Sequence, residues 1–308
     1  MLYYAHLSRF PKVFQSMTGL RVSEFDQLLD DLAATYSEAE QKRLSRPKRQ
    51  RAIGGGPDFA LGYREQVLLT VIWLRLYPAH EVLAFLFGVS DSSVSRYLTR
   101  ILPLLEANGR ATMRMPDPGK KHRRQLAEVL QQVPDLNVII DTFEQRVQRP
   151  RQRAEADTYY SGKKKHHTLK SQVAVDEYTG EVADVAESVR GPTADFTVLK
   201  QSELLARLPD GVGGLGDLAY VGLAALHPTG LGTTPRRKPR GQERPAEDIE
   251  YNRAFAKRRI KVEHTIGRMR RYQALAQTDR NHRRSHTART RAVAGLVNRQ
   301  IRSRLPCC

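Results

Sequence analysis

Cysteine is nearly absent: the 308-residue chain has two, Cys307 and Cys308, side by side at the end of the sequence. Adjacent cysteines can neither close a loop nor supply a metal-ligand set, which excludes a disulfide scaffold and a cysteine-based zinc module. Long apolar runs are missing too. The longest, Val67 to Leu74, is followed by Arg75 and Pro78 and falls well short of the ~20 residues of a membrane span. No charged region feeding an apolar run and a small-residue cleavage site stands at the N-terminus, so no secretory signal is expected and the cytoplasm is the expected compartment. No repeat recurs along the chain, which excludes solenoids and propellers. Acidic residues are scarce, 33 Asp+Glu against 51 Lys+Arg, giving a formal net charge of +18. That excess is beyond what solubility requires and points to a polyanionic partner. What is present suffices for ordinary cores: with 40% hydrophobic residues, a chain of this length buries ~75% of the surface it exposes when unfolded.

The basic residues come in clusters. Lys42, Arg43, Arg46, Lys48, Arg49 and Arg51 precede Gly54-Gly55-Gly56-Pro57, which reads as a mobile connector. Before it, Phe25, Leu28, Leu29 and Leu32 predict a short amphipathic helix over 22–32, capped by Ser23. From Tyr63 to Glu106 the pattern is helical throughout. Val67, Leu68, Val71, Ile72 and Trp73 make a helix apolar on most sides, which implies burial between neighbours. A second helix over 79–87 ends at Gly88, and Ser90 can cap a third, with Val94, Leu98, Ile101, Leu102 and Leu105 on one stripe and Ser92, Ser93, Arg96 and Arg100 opposite. Two helices joined by a short turn containing glycine have the spacing of a helix-turn-helix.

Beyond a loose Pro-, Gly- and Arg-rich segment the period changes. Val138-Ile139-Ile140 suits a central strand, Leu169 to Val175 alternates with period two, and Val182 to Val189 returns as the next strand. A helix follows from Thr193 through Leu205, then a glycine-rich strand over 211–217 and a helix over 252–272. The expected organisation is therefore a helical region and basic linker over 1–57, a helix-turn-helix over 58–110, a connector over 111–132, and an α/β domain over 133–308. In the last of these a mixed sheet is flanked by helices and a basic segment closes the chain.

In a major groove, Ser92, Ser93 and Arg96 at the start of the third helix would face base edges and Arg100 would meet a phosphate. The plainer reading is a three-helix bundle with a solvated polar face, and the +18 charge favours the first.

Three acids stand where local composition would not put them. Asp141 ends the run Val138-Ile139-Ile140, at what is expected to be the carboxyl edge of a strand, where ligand sites of α/β sheets lie. Asp217 ends the next candidate strand. Glu263 is one of only three acids, with Glu250 and Asp279, among 16 Lys+Arg from Ile249 onward. Its spacing from Ile260 and Ile266 assigns it to the apolar side of its helix, while Arg258, Arg259, Lys261 and Arg270 splay outward. A half-buried carboxylate needs a partner. Either a structural ion pair with an arginine or a metal site shared with the two aspartates would serve. Two Mg²⁺ (or Mn²⁺) ions about 3.5–4 Å apart, held by hard oxygen ligands, can activate a hydroxyl on one side of a phosphodiester and stabilise the leaving oxygen on the other.

These residues sit in motifs that resemble bacterial insertion-sequence transposases of the DDE superfamily, in the branch related to Harbinger-type nucleases, over nearly the whole chain. The similarity runs through Met17-Thr18-Gly19-Leu20, Gly54-Gly55-Gly56, and Leu86-Phe87-Gly88-Val89-Ser90 leading into Ser93-Val94-Ser95-Arg96. It continues through Asp141-Thr142 with Glu144 and Gln148-Arg149-Pro150, then Tyr160-Ser161-Gly162-Lys163-Lys164-Lys165 with His167, Thr168 and Lys170. Gly191 with Asp195-Phe196 and Leu199 follows, then Gly216-Asp217 to Gly222, and Arg259 to Tyr272 around Glu263. The order of these blocks, with 76 positions from the first acid to the second and 46 to the third, makes the set specific. Leu218 and Ala219 depart from it, standing where relatives often carry a basic residue and a glycine.

The resemblance implies an RNase H-like domain whose first and fourth strands lie side by side, bringing Asp141 next to Asp217. With Glu263 they would be catalytic residues and ligands of two Mg²⁺ (or Mn²⁺) ions. It also implies cleavage of the element's 3′ ends followed by strand transfer into target DNA. DNA, both terminal repeats and target, is then the partner. The protein would be nucleoid-associated with no membrane contact, and a homo-oligomer, dimer or higher, would hold two ends together.

Glu144 is expected to turn away from the site, Asp195 to act as a first-turn helix acid, and His166 and His167 to face DNA rather than metal. Lys163, Lys164 and Lys165 are read as phosphate contacts extending the active-site groove, and Arg283, Arg284, Arg289 and Arg291 as doing the same. A transposase is the expected function. The alternative is a catalytically inactive, transposase-derived sequence-specific regulator; a basic RNA-associated protein is disfavoured by the ordered acids.

Overall fold

The helix expected around Val67 is the hub of the N-terminal half. In the computed structural model, which describes residues 1–45, 59–119, 130 and 133–305, six helices make up this half: α1 (Tyr4–Leu7), α2 (Pro11–Thr18), α3 (Val22–Leu44), α4 (Tyr63–Leu76), α5 (His80–Phe87) and α6 (Asp91–Thr112). In α4 every residue from Gln66 to Leu74 is buried, as its all-round apolarity requires. The turn between α5 and α6 forms as its residues dictate. Gly88 takes φ 66°, a left-handed conformation costly for residues with a Cβ, and the Ser90 hydroxyl accepts the Ser93 N–H as N-cap. Helix α3 is longer than its apolar spacing suggested, running on to Leu44 with Arg43 paired to Glu40. It starts at Val22, and the Glu24 carboxylate accepts the Arg21 N–H at 2.7 Å. Arg46 to Asp58, most of the connector and Cys307–Cys308 lie outside the described residues.

The second half follows as β1 (Leu136–Arg146), α7 (Arg153–Tyr159), β2 (Tyr160–Ser161), β3 (His166–Asp176), β4 (Val182–Val185), β5 (Val189–Arg190), α8 (Asp195–Ser202), β6 (Val212–Leu215), α9 (Leu223–Leu226), β7 (Gly232–Thr233), α10 (Ala246–Met269), α11 (Gln273–Ala276) and α12 (His286–Arg302). The sheet runs β2-β3-β1-β6-β7, with β4 and β5 also on β3. β1 and β3 are antiparallel, β1 and β6 parallel. This is an RNase H-like mixed sheet flanked by helices, with the strand carrying Asp141 directly beside the strand leading to Asp217.

Period-two alternation along β1 sends Val138 and Ile140 to one face and Ile139 and Phe143 to the other. The second face packs into a core continuous with that of α4 and α6. Helix α12 joins the two halves. It is buried along most of its length and packs on α6, β4 and α10. Its Asn298 side chain bonds both backbone polar groups of Val182, covering the free edge of β4. Gln300 and Arg299 reach Gly19 and Asp31 in the N-terminal half.

The crossing of α6 and α12 is made by two glycines. A Cβ on Gly295 would run into the backbone of Gly109, and one on Gly109 into the Arg291 carbonyl. Backbone cannot rotate away, so Gly295→Ala is expected to lower stability by about 1–3 kcal/mol. Helix propensity alone would raise it by about 0.5–1 kcal/mol. A denaturation midpoint that rises in this variant would contradict the close crossing.

Candidate active site

Asp141 lies midway along β1, not at its end. The parallel pairing with β6 stops at Ile139↔Leu215; beyond it β1 keeps only β3 as a strand partner, and α10 and α11 close against it. The expected edge exists, but β6 creates it by leaving the sheet. Two residues after β6 ends, Asp217 caps a 3₁₀ turn over 218–220, its carboxylate accepting the Ala219 N–H at 2.8 Å.

The Asp141 carboxylate accepts the Thr142 N–H at 2.7 Å and faces the Arg259 guanidinium at 3.4 Å. Burial pushes its carboxyl up to about 6; the Thr142 amide and Arg259 pull it down, and the negative charges of Asp217 and Asp195 push it further up. Asp217 is therefore an electrostatic neighbour of Asp141.

Asp141, Glu144, Asp195 and Glu263 line one cavity of about 510 Å³; Asp217 is outside its wall. Glu144 was expected to turn away, yet it borders the cavity and accepts the Thr168 hydroxyl at 2.6 Å, because β1 continues five residues past Asp141. Asp195 sits in the first turn of α8, as its position suggested, and also accepts Thr142 Oγ1 at 2.9 Å and the Lys170 ammonium at 2.6 Å. Among the described residues no three His, Cys, Asp or Glu side chains converge as ligands of a single metal ion.

Helix α10 is rotated from the face its isoleucines implied. Its buried side is Tyr251, Phe255, Arg258, Val262, Thr265 and Met269, so Ile260 is 46% exposed and Glu263 is exposed on the cavity rim rather than half-buried. The buried charge on this helix is Arg258, whose Nε and Nη2 each bond the Glu177 carboxylate at 2.6 Å.

Lys163, Lys164 and Lys165 form an exposed turn, with the first two on the cavity wall. On α6, Ser92 and Arg96 are exposed, while the Ser93 amide and hydroxyl both meet the Ser90 cap. Arg100, expected to meet a phosphate, is instead held within the protein. It pairs with Glu40 at 3.1 Å, donates to Gln66 and lies 4.0 Å over the Phe59 ring.

The C-terminal arginines divide likewise. Arg284 is exposed, and Arg283 is half-buried, paired with Glu155 and set over Tyr159. Arg289 is buried against Asp279, and Arg291 pairs with Glu106 and Glu187, so neither is the phosphate contact expected of it. Nearby, burial pushes His286 down to about 4, Arg289 adding to the shift and Asp279 opposing it; its ring lies between Ser188 and Gln145. Sequence reasoning missed the Arg259 contact and the Thr142–Asp195–Lys170 chain, all three made between residues distant in sequence.

No solved structure matches the chain. It is similar to the probable transposase for insertion sequence element IS702 of Microchaete diplosiphon, 27% identical over 289 residues, 94% of each chain. Residues 59–111 match the helix-turn-helix of DDE superfamily endonuclease, the region of α4 to α6. Residues 140–298, from the strand that bears Asp141 to the buried helix α12, match the family model of the DDE superfamily endonuclease, and to that family the chain belongs.

Proposed function

We propose that this protein is a DNA transposase that binds the terminal repeats of an insertion sequence, cuts at its ends and joins them to target DNA. The observation that carries the reading is the half-buried carboxylate of Asp141 at the gap left by β6, with Asp217 acting on it as a neighbouring negative charge and Glu263 of α10 lining the same cavity. The whole-length similarity to a probable transposase supports it.

The donor chemistry suits a hard divalent ion, Mg²⁺ or Mn²⁺. Asp141, Asp217 and Glu263 would hold it, and a cation would offset the burial and the neighbouring acids that raise Asp141. Among the described residues the side chains do not converge as they stand, but Glu263 is an exposed side chain on the cavity that Asp141 lines. Bound there, two such ions supply activation of the attacking hydroxyl and stabilisation of the leaving oxygen.

The chain's own groups do the rest. Lys163 and Lys164 line the same cavity as Asp141 and Glu263 and draw the phosphodiester in; Thr142 and Lys170 hold Asp195 in place. In the first reaction water attacks the phosphorus and the bond to the 3′ oxygen breaks, leaving a 3′ hydroxyl. In the second that hydroxyl attacks a target phosphorus and expels the target's own 3′ oxygen. Ser92 and Arg96, exposed at the start of α6, are the proposed base contacts, and Arg284 a backbone contact. Joining two ends calls for at least two copies of the chain.

Element-end DNA incubated with Mg²⁺ or Mn²⁺ should be nicked by the wild type. Asp141→Asn, Asp217→Asn and Glu263→Gln should each lose nicking and keep the footprint. Cleavage that survives all three substitutions would sink the assignment. A footprint without nicking under any divalent ion would identify a DNA-binding regulator instead.

A further inference from the structure

The catalytic cavity does not stand alone. It shares Arg146 and His166 with a second concavity of about 580 Å³, which shares Val147, Gln148 and Arg149 with a third of about 630 Å³. The chain from Arg146 to Arg151 runs past all three: Arg146 lines the first two, and Val147 to Arg149 line the second and third. Arg149, Arg151, Lys165 and Arg284 are exposed along this path. The acid on it, Asp279, is buried and paired with Arg289. The path is thus positive and leads to the acids.

Exposed cations would suit duplex or single-stranded DNA equally, and the aromatic residue in the middle decides between them. Tyr160 is 44% exposed and lines the second concavity beside His167, the two rings 5.6 Å apart at 70°. Its neighbour Tyr159 differs: the guanidinium groups of Arg283 and Arg190 lie 4.7 and 5.5 Å from its ring. One tyrosine is committed to the protein; the next presents an open ring beside a phosphate path. Duplex DNA covers its base faces by its own stacking, so such a ring serves unstacked bases, which every nucleotide can supply.

We propose that this path binds a single DNA strand, with the exposed Tyr160 ring as the stacking platform for an unpaired base and His167 set against it edge to face. The flanking arginines and lysines follow the backbone, and the strand enters the catalytic cavity past Arg146 and His166. The purpose of the site rests on the nuclease reading of that cavity; its test does not.

The test uses the full chain in buffer without divalent ions and a fluorescein-labelled oligothymidylate read by anisotropy. Wild type should bind with an affinity that falls steeply with salt. Tyr160→Ala should bind about tenfold more weakly, and Tyr160→Trp should restore binding. Affinity for a duplex of the same length should be unchanged in both variants. No binding of oligothymidylate by the wild type, an unaltered affinity in Tyr160→Ala, or an equal loss for strand and duplex would each overturn the proposal. Nothing is cut in this assay, so a failure to nick DNA leaves strand binding standing, and a failure to bind the strand leaves the nuclease assignment standing.

Discussion

Asp141→Asn is expected to melt higher than the wild type in metal-free buffer above about pH 6 while losing DNA cleavage by at least about a thousandfold. In the folded chain the Asp141 carboxyl is raised from 3.8 to about 6, first by burial and then by Asp217 and Asp195. A carboxyl raised on folding supports the fold while it is protonated, below about pH 4, and that support is lost as pH rises through about 6. At neutral pH the wild type therefore carries an ionised side chain in a poorly hydrated, negative place. Each tenfold change in proton affinity is worth about 1.4 kcal/mol, so the ceiling on the gain is about 3 kcal/mol. The attraction of Arg259 is already contained in this net rise, and screening by water at a side chain 21% exposed reduces the expected gain to about 1–2 kcal/mol. Melting temperatures across pH check the sign: the two proteins should coincide near pH 4 and separate as pH rises. A variant that melts lower than the wild type at every pH would mean that the Arg259 contact outweighs the burial of charge.

The second large effect lies at the junction of the two halves. Asp279 and Arg289 form an ion pair with side chains 0% and 1% exposed. The other oxygen of Asp279 accepts Tyr77 Oη at 3.2 Å and Asn281 at 3.0 Å, and its own N–H donates to the Arg146 carbonyl at 2.7 Å. Asp279 thus ties together the end of α4, the end of β1 and the start of α12. Asp279→Ala would leave a buried guanidinium without a counter-charge, and removing one partner of such a pair costs about 3–5 kcal/mol. Replacing both, as Asp279→Leu with Arg289→Met, should recover much of the loss, since apolar groups of similar volume often replace a buried pair without penalty. Denaturant titrations of the single and double variants provide the check. A single variant within about 0.5 kcal/mol of the wild type would show that the pair is not isolated from water.

The helix-turn-helix was legible because each of its signals is local: the apolar stripe of α6, Gly88 at the turn, Ser90 at the cap. The adjacency of Asp141 and Asp217 followed from the resemblance, and the pairing of β1 with β6 agrees with it. The state of individual charges was not legible. Net charge counts Arg100, Arg289 and Arg291 as if they faced solvent, whereas each is neutralised by an acid from elsewhere in the chain. The face of α10 was misread because its buried stripe contains Arg258 and Thr265, two polar positions that an apolar periodicity passes over. Arg258 is tolerated there only because Glu177, 81 residues away, meets it. Glu144 was misjudged because Thr142-Phe143-Glu144-Gln145-Arg146 shows no alternation that would extend the strand.

Helix α12 follows α6 in the chain by more than 170 residues, yet it supplies the largest helical cover that α6 has. A nascent chain halted before His286 would have the whole helix-turn-helix and lack the helix that packs most extensively on α6. Such fragments should aggregate or be degraded rather than persist as DNA binders competing with the nuclease for the same sites. The proposed reading and cutting of DNA would thus be delivered together, with α12 as the condition for both.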